Sequence, residues 1–392
     1  LPFAVYVLGL AVFAQGTSEF MLAGLVPAVA ADLGVTVPQA GLLTAMFAVG
    51  MAVGAPALAV LTLRLPRRRA LVWSLALFTV CHVVGALAPG YGVLLATRIV
   101  AALACAAFWA VAAGAAVSMV EPGARARAMS VVVGGVTVAC VAGVPAGALL
   151  GGLWGWRSAF WAVAAVSALS IVALLATLPA SRPEPPASAV RAELRALVRR
   201  PLLVAYALNA LVQGATFCTF TYLAPLITEV TGLGEGWVPG MLVLFGAGAM
   251  VGITVGGRVA DARPALVLGV GTVALACGWA LLAVTAAHPV PVFALVFALG
   301  MLAFGTGPAL MARTFTLADG APTLTGGFTT AAFNVGNTAG PWLGGVVIDA
   351  GLGFRAPVWT SALLMLVAVA VTAATLRRRP EPKAAEVAET VG

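Results

Sequence analysis

The sequence predicts an all-α integral membrane protein whose twelve transmembrane helices form two six-helix bundles. Three observations carry that reading. Of the 392 residues, 62% are hydrophobic and 9% are charged, and the mean hydropathy of +1.08 lies far above that of a soluble domain. Apolar runs of about 20 residues, the length that crosses a bilayer core as a helix, recur from one end of the chain to the other. Finally, the chain repeats itself when shifted by 198 residues.

Runs such as ALVLGVGTVALACGWALLAVTAA, residues 265–287, are apolar throughout. Barrel strands would alternate polar and apolar residues over about 10 positions, so helices are predicted. Twelve are expected, near residues 3–29, 38–62, 70–89, 91–119, 129–152, 157–179, 202–230, 236–258, 264–286, 290–316, 325–350 and 356–376. The first is too long for a signal peptide and lacks a basic leading segment, so it reads as a retained span. Between the sixth and seventh lies SRPEPPASAVRAELRALVRR, whose Pro-rich start excludes regular helix and whose second part has charges spaced for a short helix on the membrane surface. The expected division is an N-terminal bundle over 1–180, a cytoplasmic linker over 181–200, a C-terminal bundle over 201–376 and a cytoplasmic tail over 377–392.

Positive charge orients the spans. With the N-terminus inside, the cytoplasmic loops and inner span ends collect Arg64, Arg67, Arg68, Arg69, Arg125, Arg127, Arg258, Arg263 and Arg313, the arginines of the linker, and Arg377, Arg378, Arg379 and Lys383. The outer loops hold Arg157 and Arg355. Both termini are therefore expected in the cytoplasm, with the chain crossing the inner (cytoplasmic) membrane. Topology accounts for the net charge of +8, and no nucleic-acid partner is expected. Cys81, Cys105, Cys140, Cys218 and Cys277 all fall within spans without metal-ligand spacing and read as packing residues. With His82 and His288 as the only histidines, no intramembrane aspartate pair and no P-loop, neither an enzyme, a metal, a cofactor nor ATP as energy source is expected. A sensor would bring a soluble output domain, for which the chain has no room.

The repeat aligns Gln15 with Gln213, Gly16 with Gly214, Pro27 with Pro225, Gly34 with Gly232, Gly50 with Gly248, Gly54 with Gly252, Gly155 with Gly353 and Arg157 with Arg355. Two parallel repeats place a binding site near the bilayer midplane between them, reached from either side as the halves rock. Where the repeat fails, one half has a task of its own. Glu19 faces Phe217 in the alignment, and Leu63 faces Asp261.

Glu19 lies roughly 22 Å into the first span, beyond reach of the surface. With Gln15 and Ser18 it forms a polar stripe at i, i+3 and i+4, suited to a water-filled cavity. Desolvation favours the protonated carboxyl and a nearby cation the ionised one, so a proton can come and go. A glutamate kept protonated to hold a neighbouring helix is the plainer alternative. Arg98, roughly 10 Å inside the fourth span, needs carbonyls or Glu19 as partners, either for coupling or as a helix clamp. In the fifth span Gly143, Pro145, Gly147 and Gly151 permit close approach and a bend. Asn209, Gln213 and Thr216 share a face of the seventh span near Phe217, Phe220 and Tyr222, and the eleventh carries Asn334 and Asn337. Amides among aromatics suit an amphipathic, uncharged small molecule. Asp261, at the inner end of the eighth span, reads as a gate contact.

These residues resemble the major facilitator superfamily, in its twelve-span drug:proton antiporter branch, over nearly the whole chain. Within that branch VYVLGLAVFAQGTSEFMLAGL, RLPRRRAL, GVTVACVAGVPAGALLGGLWGWRSAFW, QGATFCTFTYLAP and ADGAPTLTGGFTTAAFNVG are similar to the chloramphenicol efflux proteins of actinobacteria. The resemblance implies the major facilitator fold and export of chloramphenicol or a related phenicol in exchange for protons. It implies that Glu19 is the membrane-embedded acid, Arg98 the fourth-span arginine, Gly143 to Gly147 part of the antiporter signature, and Arg64 and Asp261 members of the gating loop motifs. The chain departs from the pattern at Leu63, where an aspartate is usual, and at Ala101 and Ala102, where Gln-Gly is usual. Relatives in this group also export sugars and nucleosides, which leaves a polar cargo as the alternative. A monomer is expected because one chain holds both halves of a site.

Overall fold

The computed structural model describes residues 1–62, 65–121, 125–178, 199–317 and 322–377. Leu63, Arg64, most of the expected linker and nearly all of the tail lie outside the described residues. Among the described residues twelve long helical stretches follow one another: α1 Phe3–Phe20, α2 Val37–Thr62, α3 Arg67–Ala86, α4 Tyr91–Ser118, α5 in the pieces Arg125–Val138, Ala139–Gly143 and Val144–Trp154, and α6 Arg157–Thr177. The second half supplies α7 Arg200–Phe220, α8 Val238–Ala262, α9 Pro264–Thr285, α10 Pro289–Leu317, α11 Pro322–Val347 and α12 Ala356–Arg377. Among the described residues there is no strand.

Eleven of the twelve are long and apolar enough to cross a bilayer. The exception is α11, which has the length but carries Thr323, Thr325, Thr329, Thr330, Asn334, Asn337 and Thr338. Packing along α2 and α7 buries its Thr325, Thr329, Asn334 and Asn337.

The helices of each half pack in one pattern. In the first, α1 packs on α5 and α6, α2 on α4, and α3 on α4 and α6; in the second, α7 packs on α11 and α12, α8 on α10, and α9 on α10 and α12. The halves meet where α2 lies on α11 and α5 on α8. Exchanging the halves turns one of these contacts into the other, as a two-fold relation between parallel repeats requires. The backbone repeats too: Gly34 and Gly232, and likewise Gly155 and Gly353, all have positive φ.

The first span is not one helix from 3 to 29. It ends at Phe20, turns through Met21–Gly24 and restarts as Val26–Leu33. Pro27 has no N–H to return to the Ala23 carbonyl, so the ladder breaks ahead of it. The break recurs after α7, just before Pro225. As a result Glu19 sits in the last turn of α1. Pro145 acts similarly in α5, where the missing bond to the Val141 carbonyl is absorbed by a π turn over Ala139–Gly143.

Small residues set the closest approaches. On α2, Gly50 and Gly54 face Ile99, Ala102, Leu103 and Ala106 of α4; on α8, Gly248, Gly252 and Gly256 lie against the backbone of Phe297, Met301 and Gly305 of α10. Gly143 abuts Thr17 and Gly147 abuts Met21, so α5 lies against the stretch of α1 that holds Glu19.

Candidate functional site

Polar side chains converge on α1, α4, α7 and α11. Three of these, α1, α4 and α7, are the most buried of the apolar spans, so any charge they carry must find its partners within the protein. Arg98 on α4 is 1% exposed. Its Nη1 donates to Ser18 Oγ at 2.8 Å and its Nη2 to the Ser18 carbonyl at 2.9 Å. The guanidinium also lies over the Phe47 ring of α2, 4.3 Å from the centroid, a cation–π contact that partly replaces lost hydration. Arg98 makes no ion pair with Glu19. Of the two partners open to it, the backbone carbonyl is the one found, together with the hydroxyl of the same residue.

Ser18 has a second contact, 2.6 Å from its Oγ to Nε2 of His82 on α3, whose Nδ1 lies 2.8 Å from the Phe78 carbonyl. His82 is fully buried, with its ring against Phe78 and Phe160. Helices α1, α2, α3, α4 and α6 thus all contribute to one cluster. Gln15 is buried as well; its Oε1 accepts from Cys105 Sγ at 3.5 Å and its Nε2 has no partner. The stripe Gln15–Ser18–Glu19 therefore turns largely into the first half.

Glu19 is the member of that stripe left partly exposed. Its Oε1 accepts from Asn337 Nδ2 of α11 at 3.4 Å, and Asn337 Oδ1 in turn accepts from Gln213 Nε2 of α7 at 3.5 Å. This chain of side chains crosses from the first half to the second. Beside it, Phe20 stacks on Phe217 with centroids 5.2 Å apart, and Phe217, Phe220 and Phe245 continue the aromatic wall.

The remaining expected residues divide. Asn209 is fully buried with neither amide atom partnered, and Asn334 donates to the Thr330 carbonyl while its Oδ1 has no partner. Thr216 spends its hydroxyl on the Val212 carbonyl of its own helix. Pro145 and Gly143 bend and seat α5 rather than touch the polar cluster. Asp261 lies in the last turn of α8, and Arg64 lies outside the described residues. His82 was legible only as a histidine inside a span. That signal is the same one that singled out Arg98, but histidine is far less costly to bury when neutral and so stands out less.

Two similarly built helical bundles meeting around buried polar groups define a membrane transporter. The chain belongs to the Major Facilitator Superfamily, which it matches over residues 8–332. It is 48% identical to a chloramphenicol resistance protein of Streptomyces lividans over 95% of each chain, and 34% identical to the inner membrane transport protein YdhP of Escherichia coli K12 over 97% of this chain and 98% of that one. In structure it is similar to a bacterial homolog of the human lysosomal transporter Spinster in an inward-facing, unoccupied conformation, with a TM-score of 0.77 at 18% identity over 97% of this chain and 98% of the other.

Proposed function

We propose that this transporter exports a lipophilic, uncharged antibiotic, chloramphenicol or a related phenicol, in exchange for protons, and that Glu19 carries the proton. The observation that carries the reading is the bond from Asn337 to Glu19, which joins α11 to α1 across the halves. Hydrogen bonds to an ionised acceptor are roughly twice as strong as neutral ones. An ionised Glu19 ties the halves together through Asn337; a proton on Glu19 loosens the tie. Protonation is thereby coupled to rocking of the halves. Drug would enter from the cytoplasm or inner leaflet with Glu19 ionised and leave when Glu19 takes a proton from outside, both termini being cytoplasmic.

The aromatic wall of Phe20, Phe217 and Phe220 supports a cargo with an apolar ring, and the similarity to a chloramphenicol resistance protein supports the phenicol class. Gln15, Ser18, Asn209, Gln213, Thr216 and Asn334 supply the neighbouring polar groups. A single proton exchanged for a neutral drug moves one charge, worth about 2.3 kcal/mol per 100 mV, so the membrane potential would assist export. A second reading, export of a sugar or nucleoside, draws on the unpaired amides of Gln15, Asn209 and Asn334, which a polar ligand would satisfy.

The test is efflux of labelled chloramphenicol from proteoliposomes under an imposed proton gradient, beside Glu19→Gln. Gradient-driven efflux lost in the variant is expected. Wild-type efflux that ignores the gradient, or survives unchanged in Glu19→Gln, refutes the assignment; transport of a sugar but of no phenicol favours the second reading.

A further inference from the structure

We infer that His82 is a positioning residue that holds Arg98 away from Glu19 by fixing the hydroxyl of Ser18, an inference resting on the reading of Glu19 as the proton site. Hydrogen-bond accounting leads there. A serine hydroxyl has one proton to give and lone pairs to accept with, while a guanidinium only donates. The Phe78 carbonyl can only accept, so His82 Nδ1, 2.8 Å from it, carries the ring proton and donates it. In the neutral ring Nε2 is then unprotonated and accepts from the Ser18 hydroxyl, whose oxygen accepts in turn from Arg98 Nη1. Ser18 Oγ thus both accepts and donates while each ring nitrogen of His82 makes one bond, and a hydroxyl donated to Nε2 exists only for the neutral Nδ1–H tautomer. A second ring proton would make Nε2 the donor, turn the Ser18 hydroxyl proton away from the ring and bring a positive charge beside Arg98.

Around the ring, α6 offers Phe160 and α3 itself Phe78, both apolar. The charged and titratable groups facing the cluster are Arg98 and Cys105 from α4, Glu19 from α1, and Cys81 on α3 itself. Arg98 has few alternatives: its Nε is buried without a partner, and its remaining polar contact is the Ser18 carbonyl. Glu19, next in sequence to Ser18, is the one carboxylate among these groups. Once the oriented hydroxyl is lost, the guanidinium is free to turn toward Glu19. The carboxylate then stays ionised to lower pH, and the proton step of export moves with it.

The first measurement uses the purified wild-type carrier labelled with nitrogen-15 histidine. The chain has 2 histidines, so a His288→Gln sample assigns the signals. Expected for His82 are a protonated Nδ1 and an unprotonated, hydrogen-bonded Nε2, the latter changing in Ser18→Ala. A protonated Nε2 overturns the inference. In proteoliposomes, the pH of half-maximal gradient-driven export should move toward acid by about one unit, a tenfold change in proton concentration, in His82→Leu and in Ser18→Ala. His82→Gln, whose amide oxygen can accept from Ser18, should stay near wild type, and the double variant His82→Leu/Ser18→Ala should move no further than Ser18→Ala alone. Additive shifts, or an unmoved profile in a His82→Leu protein of normal thermal midpoint, overturn the inference; should that variant not fold, Ser18→Ala and the spectrum decide. A Glu19→Gln control separates the two ideas. Gradient-driven export surviving there sinks the proton-site reading, whereas its loss beside an unmoved His82→Leu profile sinks this inference alone.

Discussion

Tyr222 stands in the second half where Gly24 stands in the first, and the two residues lie at the two different contacts between the halves. Gly24 sits under the crossing of α5 and α8, where a methyl group would run into Ala148 and Leu242. Tyr222 sits at the contact of α2 with α11, with its ring against Gly344 and its hydroxyl over Gly41 and Gly345. That hydroxyl donates to the Pro341 carbonyl at 2.9 Å. One contact is closed by removing a side chain and the other by inserting one into a bed of glycines.

Gly41→Ala is therefore expected to hinder closure of α2 on α11, because a methyl there overlaps the Tyr222 hydroxyl. Overpacking of this kind costs about 1–3 kcal/mol, so the initial rate of export should fall by about tenfold. Tyr222→Phe in the Gly41→Ala background removes the nearest atom and should restore part of the rate. A double variant no faster than Gly41→Ala would show that the hydroxyl is not the obstacle.

Equivalent glycines should differ in their tolerance. A Cβ on Gly54 of α2 would meet the flexible end of Leu103 at 3.0 Å, which can swing aside, and Ala106 Cβ at 3.1 Å, which need give by only a few tenths of an ångström, whereas one on Gly252 of α8 would meet the main chain of Met301, which cannot give way without moving α10. Gly252→Ala is expected to lower the unfolding free energy by about 2–3 kcal/mol and Gly54→Ala by less than about 1 kcal/mol. Thermal unfolding in detergent measures both, and equal losses would contradict the argument.

The cross-half chain predicts an order of effects. Asn337 touches Glu19, and Gln213 touches Asn337. Losing a hydrogen bond to a charged group costs about 1.5–3 kcal/mol, and losing a neutral one about 1 kcal/mol. Gradient-driven export should fall by about tenfold or more in Asn337→Leu and by about fivefold in Gln213→Leu. A larger defect in Gln213→Leu would break the proposed sequence of contacts.

Asp32, on the short helix after α1, is bound by the Arg157 guanidinium and, at 3.0 Å, by Trp156 Nε1. The hydrogen bond from Arg157, then that from Trp156, holds its carboxyl below the ordinary value of 3.8. A depressed acid contributes stability that is complete above that ordinary value and is lost as pH falls through the folded one. Both side chains are well exposed, so the effect is small. The thermal midpoint of wild type should exceed that of Asp32→Asn at neutral pH, and the gap should close under strong acid. A gap that persists there would mean the ion pair is not its cause.

The sequence sufficed for the class of fold, because length, apolarity and period are local properties of each run and a bilayer demands internally bonded helices. It determined the repeat as well: Gly34 and Gly232, paired by position alone, share positive φ. Glu19 and Arg98 were legible because an ionisable residue inside an apolar run stands out without any knowledge of packing. Which side chains meet across helices was a matter of packing. That Arg98 binds Ser18 rather than Glu19, that His82 completes Ser18, and that Asn337 reaches Glu19 from 318 residues away depend on how helices rotate against one another. A helix fixes which residues share a face, but a face gains partners only once packing of small residues such as Gly143 on Thr17 has set the distance between helices.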